Sequence, residues 1–160
     1  MLFIGGCVSS MISEAPVSTV PTHKVQAIAM APGGGLMADA VAVELVNRGF
    51  TVIDSASTSN LLVRLNLNEV EVMQPDGLAK LKEQGIDAFL TVRAAAGYDG
   101  LPESASARMN STYTGRVLAG ITWQNGRGCG RGSPCDRFMR KGLSEAAREI
   151  ADALSKRIEF

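Results

Sequence analysis

The sequence predicts a single α/β (α+β) domain: a mixed sheet with a βαβ front half, an antiparallel hairpin behind it and an amphipathic helix at the C-terminus. Three observations carry this. Apolar runs alternate with helical stripes through the first half of the chain. Residues 105–123 alternate in polarity around a Thr-Gly turn. Apolar residues then recur at spacings of three and four towards the end. A chain of 160 residues is long enough for one domain with a true core and too short for two. Hydrophobic residues make up 46% of it and the formal net charge is zero, a composition that speaks for a folded domain. It speaks against nucleic acid as a partner, because phosphate binding needs a basic excess or a basic face.

In order, Lys24–Ala31 is an apolar run suited to a buried strand, broken by Pro32-Gly33-Gly34-Gly35. Leu36–Arg48 is predicted as a helix that is apolar on more than one side through Val41, Val43, Leu45 and Val46. It should therefore be covered on much of its surface, and Gly49 is placed to end it. Phe50–Asp54 is a second strand, expected parallel to the first because a helix connects them. Ser55–Asn60 is a polar cluster able to cap a short helix over Leu61, Leu62 and Leu65. Leu67–Met73 reads equally as strand or extended connection. Asp76–Gln84 is a helix with Leu78 and Leu81 inward and Gly85 as its stop, Asp87–Ala95 a third strand, and Gly97–Pro102 a loop. In the hairpin, Ala105, Ala107, Met109, Ser111 and Tyr113 share one face, and Val117, Ala119, Ile121 and Trp123 line the returning strand. Gly126–Pro134 is a loop made basic by Arg127 and Arg131. Ser133, Pro134 and Asp136 then occupy the cap, first and third positions of a terminal helix. Its apolar stripe is Phe138, Leu143, Ala147, Ile150, Leu154 and Ile158, with Arg148/Asp152 and Asp152/Lys156 four apart on the exposed side.

No run of eighteen or more apolar residues exists, so no membrane-spanning helix is predicted. The start of the chain is different. Leu2-Phe3-Ile4-Gly5-Gly6-Cys7 resembles the lipobox of bacterial lipoproteins, with an aliphatic residue three places before a cysteine and small residues between. The resemblance implies that Cys7 carries a diacylglycerol and a fatty acid such as palmitate, and that residues 1–7 are a residual signal peptide. Six residues precede Cys7, fewer than a complete signal peptide needs. Residues 8–23 are rich in Ser, Thr, Pro and Ala without any period and are expected to form a flexible linker. Such a linker reaches only ~20 Å and would hold the domain, residues 24–160, near its membrane. Val8 is not an aspartate, so the likeness to Gram-negative lipoproteins implies the periplasmic face of the outer membrane.

Cys129 and Cys135 flank a Gly-rich segment, and in an oxidising periplasm a disulfide between them is the simplest reading, with free thiols the alternative. No metal site is expected, since two more ligands would be needed and the only histidine, His23, lies in the linker stretch. Gly33-Gly34-Gly35, following a strand and opening a helix with Asp54 ending the next strand, matches a dinucleotide fingerprint. The glycines would admit a pyrophosphate to the helix start and Asp54 would bind a ribose hydroxyl. The spacing to Asp54 is short, and the hairpin stands where a further parallel strand should follow. A plain Gly-rich connection is therefore the preferred reading. No Ser-His or Cys-His nucleophile can be assembled, and Asp54, Asp87, Asp99 and Glu103 fall in no recognisable catalytic order. Neither enzymatic activity nor a cofactor is expected.

Three segments carry a wider resemblance: AIAMAPGGGLMADAVAVELVNRGFTVID, the hairpin SARMNSTYTGRVLAGITW, and the helix SEAAREIADALSKRI. The chain resembles the periplasmic domain shared by the curli-secretion channel lipoprotein and the lipoprotein activator of penicillin-binding proteins. It departs in having Asn110 and Ser111 where an acidic residue often precedes the Thr-Gly turn. It also lacks the long alternating hairpins of a transmembrane barrel, so no pore is expected. The expected function is that of a lipid-anchored accessory protein acting by protein binding in assembly or regulation of an envelope complex. Its contact surfaces would include Gly33–Gly35, Asp54, Arg127 and Arg131. The alternatives are a dinucleotide- or small-ligand-binding enzyme using Gly33–Gly35 and Asp54, and a self-assembling ring component at the outer membrane.

Overall fold

A computed structural model describes residues 10–16, 23–126, 130 and 132–158. Its strands are β1 (Ser10–Glu14), β2 (Ala27–Met30), β3 (Thr51–Ile53), β4 (Ala88–Ala96), β5 (Pro102–Ser111) and β6 (Val117–Asn125). Its helices are α1 (Gly35–Asn47), α2 (Ser55–Arg64), α3 (Pro75–Glu83), α4 (Pro134–Met139) and α5 (Leu143–Ile158). The strands form one mixed sheet in the order β1-β6-β5-β4-β2-β3. The βαβ unit is present, with Ala27 opposite Thr51 in a parallel register. β4 is parallel to β2 on one side and antiparallel to β5 on the other. It is the strand at which the sheet changes character.

One face of the sheet is covered by α1 and α5, whose Val41, Leu45, Ile150 and Leu154 pack on Met30, Leu90, Met109 and Trp123. Among the described residues, the other face is covered only at its parallel end, where Leu61, Leu62, Leu78 and Leu81 pack on Ala29 and Phe89. Over the hairpin half it carries Arg93, Ser104, Ser106, Thr122 and Gln124 around an open cleft of about 440 Å³. These residues follow the strand period of two, with their neighbours Ala105, Ala107, Ile121 and Trp123 facing the core.

Five expectations are corrected. Ser10–Glu14, inside the predicted linker, is an edge strand antiparallel to β6, with Ser10 opposite Asn125 and Glu14 opposite Ile121. The segment has little alternation of its own and owes its conformation to partners. Ser10 Oγ donates to Glu149 (2.8 Å), and Arg157 meets Glu14 at the other end of the strand (2.6 Å). The terminal helix is two helices, because the chain leaves helical geometry at Arg140 and resumes at Leu143 after Gly142. Phe138, expected in the inward stripe, is 91% exposed as a result. The second apolar side of α1 is not covered: Val43 and Val46 are exposed, while Val41 and Leu45 are buried. Asp152 pairs with Arg48 of the α1 terminus (2.5 Å), so that it joins α5 to α1. Leu67–Met73 is neither strand nor extended, since Glu71–Met73 forms a 3-10 turn.

Glu149 ties three elements together. It accepts from Trp123 Nε1 (2.7 Å) on β6, from Ser10 of β1, and from Lys141 ahead of α5. Burial alone would raise its carboxyl, but the hydrogen bonds from Lys141, Trp123 and Ser10 together hold it below its ordinary value. A lowered folded-state value adds stability above the unfolded-state pKa, and this is lost as pH falls through the folded value. Glu149→Gln should cost about 1–3 kcal/mol at neutral pH. It should also flatten the loss of stability below about pH 4.5. Urea unfolding of both proteins at neutral and acid pH measures both effects.

Candidate functional site

Strand direction gathers the predicted site residues at one end of the sheet. β2, β3, β4 and β6 finish there, while β1 and β5 begin there. The Gly33–Gly35 turn leaves β2 at this end, Asp54 leaves β3, and Gly97–Leu101 joins β4 to β5. Arg127, Cys129 and Arg131 follow β6 in sequence but lie outside the described residues, as does Cys7. Cys135 stands in the first turn of α4.

The three glycines have backbone and packing reasons to be glycine. Gly33 and Gly35 adopt φ of +77° and +63°, a left-handed conformation that side chains disfavour. Gly34 lies so close to α1 and β4 that a Cβ would sit 2.4 Å from that of Ala38 and 3.0 Å from the Val92 carbonyl. The turn borders an apolar cleft of about 270 Å³, lined by Leu36, Met37, Ala94, Pro102 and Leu143 among others. Asp54 is the cap of α2: its oxygens accept from the Ser57 amide (2.7 Å) and hydroxyl (3.0 Å). The Ser57 bonds hold its carboxyl below the usual range. Both of its oxygens are thus engaged within its own turn.

Next to this lies a polar cluster that sequence reading did not single out. Arg140, between α4 and α5, is nearly buried against Asp99 (3.2 Å) and stacks over the Tyr98 ring (5.4 Å). Gly97 makes room for it, since a Cβ there would lie 2.4 Å from an Arg140 nitrogen. Tyr98 donates to the buried Asp136 (2.8 Å), a bond that raises the phenol above its ordinary value. Asp136 also accepts from the Gly132 amide, and Ser133 caps α4 as its sequence predicts. Asn125 binds the Pro102 and Lys141 carbonyls and accepts from the Lys141 amide, fixing the α4–α5 joint to the end of β6. The one sequence signal for this node is an amide residue, Asn125, closing a strand before Gly126.

His23 stacks on Tyr113 at the opposite end of the sheet (4.3 Å). Among the described residues, no three His, Cys, Asp or Glu side chains cluster as a metal site would require.

No family model matches this chain, and no curated protein does. Solved structures do. The chain is similar to the PelC dodecamer from Paraburkholderia phytofirmans, at 16% identity and TM-score 0.53, over 93% of this chain and 97% of that one. It is similar to TolB from Acinetobacter baumannii at 17% identity and TM-score 0.52, over 94% of this chain but 31% of that one. Lipoprotein GNA1162 from Neisseria meningitidis matches at 20% identity and TM-score 0.48, over 80% of this chain and 98% of that one. At these identities the likeness is one of fold. This α/β fold is therefore shared with PelC over nearly its whole length and with about a third of TolB.

Gly34→Ala should lower the thermal midpoint through a clash costing about 1–3 kcal/mol, with no ligand present. A melt that leaves the midpoint unchanged would show that packing does not require glycine at this position.

Proposed function

We propose that this chain is a lipid-anchored accessory protein of the bacterial cell envelope, held through Cys7 at the periplasmic face of the outer membrane. It acts by binding protein in the assembly or regulation of an envelope complex and carries out no chemistry of its own. The observation that carries the binding role is on α1. Val43 and Val46 are 60% and 53% exposed, and their spacing of three puts them on one side of the helix. They stand on the helix that packs beside β3, an edge strand with one unpaired side. An apolar helix row next to a free strand edge offers both non-directional burial and backbone hydrogen bonds to a partner. The envelope setting is supported by the lipobox-like run before Cys7. We further propose that Cys129 and Cys135 close the loop before α4 as a disulfide, which the oxidising periplasm favours.

A second reading is self-association into a ring. It is supported by the dodecamer described for the PelC structure, which has the same fold. Placing a photo-crosslinking residue at Val43 in cells tests both. An adduct at 43 that is weakened by Val46→Glu supports binding through α1. Adducts at multiples of the chain's own mass mean a ring, and heavier species of other mass mean a heterologous partner. Absence of any adduct would contradict the assignment of this face. Palmitate labelling that is lost in Cys7→Ser and blocked by globomycin is the expected result for the anchor; an unlabelled chain would refute it.

A further inference from the structure

We propose that the end of the sheet where β1 begins is a lipid-facing surface, with Phe138 set into the headgroup layer of the bilayer that holds the anchor. The inference rests on the Cys7 anchor of the preceding section and goes beyond it, from attachment to orientation. Cys7 is three residues before Ser10, and three extended residues span at most roughly 10 Å. Ser10 is not on a free tether. It is paired opposite Asn125 and bonded to Glu149, so this end of the domain must lie against the membrane if Cys7 is acylated.

What stands at that end fits a lipid surface. Phe138 is 91% exposed on α4, and Asn125 fixes the α4–α5 joint to the same strand end from which β1 departs. Leu36 opens α1 at this end, and the half-exposed Tyr98 lies in the β4–β5 turn. An apolar ring, an aliphatic side chain and a phenol with a polar tip are the groups that settle at a bilayer interface. The nearby charges agree. Arg137 is exposed beside Phe138, whereas Asp99 and Asp136 turn inward to Arg140 and Tyr98. Glu145 is engaged by the Gly142 amide and Asp54 by Ser57.

The test uses the full chain in vesicles of phosphatidylcholine and phosphatidylglycerol brominated near the headgroup, with palmitate labelling run on the same preparation. Phe138→Trp and Tyr113→Trp place reporters at the two ends, over the constant signal of the buried Trp123. The expected result is a labelled protein whose Phe138→Trp emission is quenched several-fold more than that of Tyr113→Trp. A labelled protein with equal quenching at both positions overturns the orientation and leaves the anchor standing. An unlabelled protein overturns the anchor and this inference with it.

Discussion

Glu149 is the point on which the end of the sheet where β1 begins depends. One carboxylate accepts from the indole of the fully buried Trp123, the hydroxyl of Ser10 and the ammonium of Lys141. The indole N–H has no access to water and must find a partner inside the fold. A carboxylate meets that need and, being charged, draws in Lys141 and holds Ser10 as well. Through this group the last helix, the hairpin and the first strand become one unit. Without it, β1 would keep only its pairing with β6 and the Arg157 contact to Glu14 at its far end.

Fixing β1 changes what the N-terminus does. A flexible linker would let residues 10–14 move freely relative to the rest of the domain. A strand paired along five residues, pinned at Ser10 and again at Glu14, does not. The same end of the sheet receives the Gly33–Gly35 turn, the Asp54 cap, the Tyr98–Asp99 turn and α4. Parallel pairing of β2, β3 and β4 is the reason these loops converge. The α1 row then lies along the side of the domain, running away from that end.

Much of the fold could be read from the residues, for a physical reason in each case. The βαβ unit and the hairpin showed because their buried faces are set by periods of 3.6 and 2 in the local sequence. Ser133 caps the helix it was expected to cap, whereas the cap of α2, expected from Ser55–Asn60, is Asp54 and that cluster lies inside the helix. Two of the failures share one cause, since they depend on contacts between distant residues. β1 is specified by β6 and α5 rather than by its own alternation. The break at Arg140 follows from a buried pair with Asp99 and from Asn125 holding Lys141, neither of which leaves a mark at helical spacing. The α1 helix was read correctly as apolar on two sides, but sequence could not say whether the second side meets this chain or another molecule. The dinucleotide-like glycines illustrate the converse: a motif was visible, and the turn explains each glycine without a ligand.

Native-state hydrogen exchange over Ser10–Ala15 tests the account most directly. The Ala15 amide donates to the Gly120 carbonyl at 2.8 Å, and alternate amides of β1 face β6. If β1 is an integral strand held by Glu149, these amides should exchange with protection comparable to β6 and lose it selectively in Glu149→Gln. Exchange at the rate of an unstructured chain in the unmodified protein would mean that the segment is a linker. The proposed orientation of the domain on a membrane would then have no basis.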